Sequence, residues 1–212
     1  MAAASMNFRT SLRFGILAED KTDADTIGVL IRRIATERAG ASASAIGIRT
    51  RSGAGCAQLR KKASVWMQEM VVIHECGALI LVHDLDRDPH NGQLRDESHL
   101  RQQLEQIVAP AGSRPHICIP VEELEAWFFA SEAVLRDVCG APTMAHPSPH
   151  TIARPKERLR DLSRGANRKP RISTNENKRY ATLLELDACR RRCPAFAALA
   201  MFVEALVSEA GP

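Results

Sequence analysis

The 212-residue sequence has no run of 18 apolar residues, the length a membrane-spanning helix requires. Its opening, MAAASMNFRTSLRFGILAE, has no basic region followed by a long apolar block. That argues against a secretory signal and predicts a cytoplasmic protein without a membrane partner. The six cysteines at 56, 76, 118, 139, 189 and 193 include no C-x-x-C pair, so buried free thiols fit them better than disulfides. Cys189 and Cys193 are spaced to share a helix face, but the sequence supplies no further pair of zinc ligands beside them. RSGAG lacks the later glycine, lysine and Ser/Thr of a phosphate-binding loop. No glycine-flanked nucleophile elbow is present, which disfavours a Ser-His-Asp hydrolase. DLDRDPHNGQLR fails as a calcium loop, because Pro89 stands at its sixth position and Arg95 at its twelfth.

What is present fits a globular α/β chain, 45% apolar and 25% charged, long enough for one sizeable core or a core with an appendage. Short apolar runs at 14–18 and 78–82, a weaker one within 43–50 and HICIP at 116–120 read as strands. The run 78–82 is aliphatic on both faces, as in a covered parallel strand. Between them, the apolar spacing predicts helices over 21–39, 56–74 and 93–109, the first capped by Thr22 or Asp23. VEELEAWFFASEAVLRDV reads as a helix opening on Glu122, Glu123 and Glu125. A proline-rich connection near 140–150 divides a core at 12–140 from a helical cap with a basic surface at 141–212. Within that cap, a short basic helix, a loop RGANRKPRISTNEN, a long helix over 178–192 and a final helix from Pro194 are predicted.

Acidic residues cluster where chemistry collects in open parallel sheets, just past strand ends. Glu19 leaves the first strand, and Asp84 and Asp86 leave the third, on the same side if the chain stays extended. Carboxylates held that close repel one another unless a cation or proton intervenes, and a hard divalent ion such as Mg²⁺ or Mn²⁺ takes such oxygen ligands. Turn chemistry is the alternative, with Asp86 or Asp88 capping a following helix. Glu122 and Glu125 are three apart and would share a helix face near the same strand ends, although acidic residues in a first helical turn also favour the helix dipole. The net charge is +4, with basic residues concentrated after Arg154, a distribution suited to phosphate-bearing partners or to an ordinary solvated surface. Lys156, Lys178 and Arg179 are candidates to steady a phosphate.

FGILAEDKTD, ILVHDLDRD and CIPVEELEAWF, with PKERLRDL, ENKRYA and CPAFAAL later, resemble a small Toprim-like bacterial protein family related to nuclease domains of phage-defence systems. The resemblance spans about residues 12–207. It implies an α/β, mostly parallel sheet flanked by helices, with a C-terminal helical extension. It also implies Mg²⁺ or Mn²⁺ bound by Glu19, Asp84 and Asp86, with Glu122, Glu125 and Lys156 completing the catalytic set. The implied activity is metal-dependent hydrolysis of DNA or RNA in anti-phage defence, with an ATPase as partner. The alternatives are an inactive nucleic-acid or protein-binding module and another phosphohydrolase. One departure is Asp20, where the first motif usually continues with glycine.

Overall fold

The computed structural model describes residues 12–88, 90–164 and 176–211. Four parallel strands form one sheet: β1 (Leu12–Ala18), β2 (Ile46–Ser52), β3 (Ala78–Val82) and β4 (Arg114–Cys118), in the order β2-β1-β3-β4. The connections carry α1 (Lys21–Arg33), α2 (Cys56–Val72) and α3 (Glu97–Glu105). The architecture is an α/β fold, a parallel sheet flanked by helices with a C-terminal helical extension. Among the described residues no helix is long and apolar enough to cross a membrane.

Side-chain alternation along the strands builds two cores. Phe14, Ile16 and Ala18 of β1, with Ile80 and Val82 of β3, face Ile27, Leu30 and Ile31 of α1. Leu17, Leu79 and Leu81 face the opposite way, onto Leu59, Met67 and Met70 of α2 and Leu100 and Leu104 of α3. Gly15 occupies the second face because nothing larger fits: a Cβ there would meet Leu79 Cδ2 at 3.0 Å and Met70 Cβ at 3.1 Å. With α1 on one face and α2 on the other, β1 feeds both halves of the sheet. The ends of β1 and β3 therefore frame a topological switch point, the crevice where ligands of open parallel sheets bind.

The C-terminal extension comprises α5 (Pro155–Leu162), α6 (Asn177–Leu183), α7 (Leu186–Arg192) and α8 (Pro194–Ala210), preceded by α4 (Glu132–Cys139). Tyr180 of α6 and Phe196, Leu199 and Val203 of α8 lie in the same hydrophobic cluster as Phe14 and Ile16. Helices α6 and α8 thus share the core of the sheet.

Several sequence-derived boundaries shift, some for tertiary reasons and some through local caps. The helix expected over 178–192 is two helices, because Arg33 donates to the carbonyls of Ala181 and Leu184, both at 2.7 Å, while Glu185 accepts from Ser131 Oγ at 3.0 Å and from the Ala133 N–H at 3.2 Å. The helix expected from Val121 onward is a 3₁₀ segment, Leu124–Ala130, followed by α4 with Ser131 as its cap. Arg192 satisfies the Ala130 carbonyl at that break, at 2.6 Å. The third helix is shorter than 93–109, starting after its cap, Asp96. Asp20, rather than Thr22 or Asp23, caps α1. Residues 165–175, most of the basic loop expected before α6, lie outside the described residues, with Arg168, Lys169 and Arg171 among them.

Candidate metal centre

Strand pairing continues past the ends of β3 and β4 and carries the acidic residues into the crevice. The His83 N–H donates to Cys118 O at 3.1 Å, the Leu85 N–H to Pro120 O at 2.8 Å and the Glu122 N–H to Leu85 O at 3.1 Å. Leu85 is buried between Asp84 and Asp86. Across the switch point, the Asp84 N–H donates to Glu19 Oε1 at 3.2 Å, tying the ends of β1 and β3 together. On the other side of Glu19, the Gly53 N–H donates to Ala18 O at 3.1 Å and the Gly55 N–H to Glu19 O at 3.2 Å. Gly55 has φ +92°, a conformation costly to residues with a Cβ, and it delivers Cys56, the first residue of α2, to the side of Glu19.

Two overlapping sets of donors meet at Glu19. The first is Glu19, Cys56 and His83, whose ligand atoms all lie within 4.8 Å of one another, a cluster positioned to chelate a metal ion. Among the described residues Glu19, Asp84 and Asp86 do not form so tight a group. They instead surround the Cys56 thiol, which donates to Asp86 Oδ2 at 3.9 Å. Burial, followed by the charges of Glu19, Asp86 and Asp84, pushes that thiol up to about 12, so it stays protonated without a cation. His83 Nδ1 lies 3.6 Å from Glu19 Oε1 and 2.8 Å from Asp84 O. With the carbonyl as acceptor Nδ1 carries the proton, and Nε2 is buried without a hydrogen-bond partner among the described residues.

The second set is oxygen-rich and centres on Asp84. Burial and then the charges of Asp23, Glu19, Glu125 and Glu123 hold its carboxyl well above the usual range. Asp23 is pushed up to about 8 by burial and then by Asp20, Glu125 and Glu19, with Lys156 opposing. Glu123 is raised to about 7, chiefly by burial, although its Oε2 accepts the Lys156 N–H at 3.0 Å. Lys156 is itself raised, because Glu125, Glu123, Asp20 and Asp23 outweigh the effect of its burial. Carboxylates from three segments, with one lysine among them, leave an excess of negative charge that a proton or a cation must relieve. The donor chemistry suits a hard divalent ion on the Asp84 side, and a softer ion can use the thiol and imidazole.

Of the residues expected at the site, Glu19, Asp84, Glu125 and Lys156 converge, and Asp86 stands beside Cys56. Glu125 is 5% exposed, with its Oε1 accepting from Asn177 Nδ2 at 2.9 Å. Glu122 faces elsewhere. It precedes the 3₁₀ segment with φ +65°, so it never shares a helix face with Glu125. Its carboxylate pairs with Arg87 and accepts the Arg154 N–H at 3.3 Å. Asp20, the departure from the motif, adopts extended angles and accepts the Asp23 N–H at 2.9 Å, acting as an N-cap.

The centre also holds participants that local sequence pattern does not mark as ligands, His83 and Glu123 among them. Asp23 was an alternative cap, although its place four residues after Glu19 put it one turn from the strand end. Cys56 was a buried thiol, although it follows a glycine-rich turn at the end of β2. Asn177 carries no signal of its own. No curated protein and no solved structure matches the chain. The family model described as a domain of unknown function, DUF4276, matches residues 18–204, from the end of β1 into α8, and the chain belongs to that family.

Proposed function

We propose that this protein is a metal-dependent nuclease of Toprim-like type, hydrolysing phosphodiester bonds in DNA or RNA. The observation that carries the reading is the convergence on Asp84 of Glu19, Asp23, Glu123 and Glu125, brought from two other segments to the switch point of a parallel sheet. Glu19, Asp84 and Asp86, with Glu125, would hold Mg²⁺ or Mn²⁺. Such an ion supplies charge to polarise the phosphate, acidify a bound water and neutralise the departing oxygen. Lys156, kept cationic by its acidic neighbours, can pair with a phosphate oxygen at the mouth of the crevice. Asp23 and Glu123, with pKa values of about 8 and about 7, can hold or release a proton near neutral pH. Asn177 fixes the orientation of Glu125. The family resemblance extends the proposal to anti-phage defence beside an ATPase partner.

The test is cleavage of end-labelled single-stranded DNA, duplex DNA and RNA with Mn²⁺, Mg²⁺ or chelator, in wild type and in Asp84→Asn, Glu125→Gln and Glu122→Gln. Asp84→Asn and Glu125→Gln are expected to lower cleavage by more than about 100-fold, beyond what outer-sphere partners typically contribute. Glu122→Gln, outside the centre, is expected to retain it within about tenfold, the lower end of that range. Circular dichroism and thermal melting check that each variant is folded. Undiminished cleavage by folded Asp84→Asn, or cleavage indifferent to chelator, rejects the reading. Salt-sensitive nucleic-acid binding without products supports the inactive-module alternative.

A further inference from the structure

Next to the acidic centre, a cavity of about 520 Å³ opens between the chain after β3 and helix α3. Its volume falls within the range of small-molecule sites, roughly 300–1,000 Å³. Asp84 and Asp86 form one wall. Two further aspartates of the lining are engaged locally: Asp88 Oδ1 accepts the His90 N–H at 2.8 Å, and Asp96 Oδ1 accepts the N–H groups of Ser98 and His99 at 2.8 and 3.3 Å. The nearby arginines Arg87 and Arg101 are paired with Glu122 and Glu97. Arg60 of α2 and Arg95, both lining the cavity, form no ion pair among the described residues. The rest of the wall combines His83 and His99, the amides of Asn91, Gln93 and Gln103, and the side chains of Leu94 and Leu100, with Gln103 Nε2 lying 2.8 Å from His99 Nε2 and its amide oxygen left to a ligand.

That combination has a specific chemistry. Guanidinium forks recognise phosphate oxygens, amides pair with the donors and acceptors of a heterocycle edge, and leucines cover its apolar face. Building on the nuclease reading, we infer that this cavity receives one unpaired nucleoside phosphate, its phosphate toward Arg60 and Arg95 and its base among Gln93, Gln103 and the two leucines. A base inside a duplex cannot enter a concave site of this size. The preferred polynucleotide is therefore single-stranded or frayed where it meets Asp84 and Asp86.

The test is calorimetric titration of the full chain, with Mn²⁺, using the four nucleoside 5′-monophosphates and inorganic phosphate as probes. Wild type is expected to bind at least one monophosphate about tenfold or more tighter than phosphate. Arg60→Ala/Arg95→Ala, at exposed positions, and the cavity-filling Gln103→Trp are each expected to weaken that binding by about tenfold, ~1.4 kcal/mol. Monophosphates that bind no tighter than phosphate, or equally to wild type and both variants, overturn the inference. Displacement of the bound monophosphate by a single-stranded oligonucleotide identifies a polynucleotide as the source. Persistent binding without displacement identifies a free nucleotide, with the cavity chemistry upheld. Binding is read without turnover, so the two readings separate. Nucleotide binding by a protein that cleaves nothing upholds the cavity and rejects the nuclease. Equal cleavage of single strands and duplex by all variants rejects the cavity and upholds the nuclease.

Discussion

At the scale of single residues, the centre is defined by carboxyl groups that do not want to be ionised together. Asp23 is raised from 3.8 to about 8, and Asp84 moves in the same direction. The folded chain therefore holds more protons than the unfolded chain between those values, and stability falls as pH rises through the window. Carboxyls held low by partners, such as Glu37 beside Arg33 and Glu209 beside Arg114, act oppositely but only near and below their ordinary range. In chelator, the melting temperature is thus expected to decline from about pH 4 to about pH 8, the span between the unfolded and folded values of Asp23. Asp23→Asn is expected to flatten that decline, and Mn²⁺ to restore the melting temperature most at the alkaline end. Thermal melts across pH, with and without Mn²⁺, check this, and a flat wild-type profile in chelator would contradict it. The same crowding explains why Cys56, an unremarkable thiol in the sequence, stays protonated amid three carboxylates.

At the scale of elements, two short structures aim the site: the first turn of α1 and the loop that starts α2. Asp20 ends β1's excursion by capping α1, and it also adds to the charge around Asp23. These roles oppose each other in stability. Asp20→Ala removes the cap at a cost of about 1 kcal/mol, part of which is offset by relief of repulsion. Asp20→Asn keeps the cap and loses the charge, so it is expected to match or exceed wild-type stability at pH 8. Urea denaturation of both variants measures the two contributions, and equal destabilisation by both would refute the division. The loop at Gly55 works through backbone geometry, since its φ of +92° and its bond to Glu19 O set where α2 begins.

At the scale of the whole molecule, the C-terminal helices are part of what keeps the sheet in place. Phe196, Leu199 and Val203 of α8 pack in one cluster with Phe14 and Ile16, and Asn177 of α6 reaches Glu125. A chain ending at residue 140 would expose that face of β1 and leave Glu125 without its partner. It is expected to lack a cooperative thermal transition, as read by calorimetry, and a sharp two-state melt of residues 12–140 alone would show the opposite. The strands were legible in the sequence because runs such as 78–82 are apolar on both faces, and the final helix because Pro194 precedes a continuous apolar pattern. Glu19 and the Asp84–Asp86 pair could be marked because strand-end acids announce themselves locally. Chain periodicity cannot say which distant partner satisfies a given polar group. Only tertiary structure sent Glu122 to Arg87, placed Glu125 against Asn177 and brought Asp23 to Asp84 and Cys56 to Asp86. Local pattern fixes which way a side chain faces along its own element, whereas charge convergence depends on how elements far apart in sequence pack.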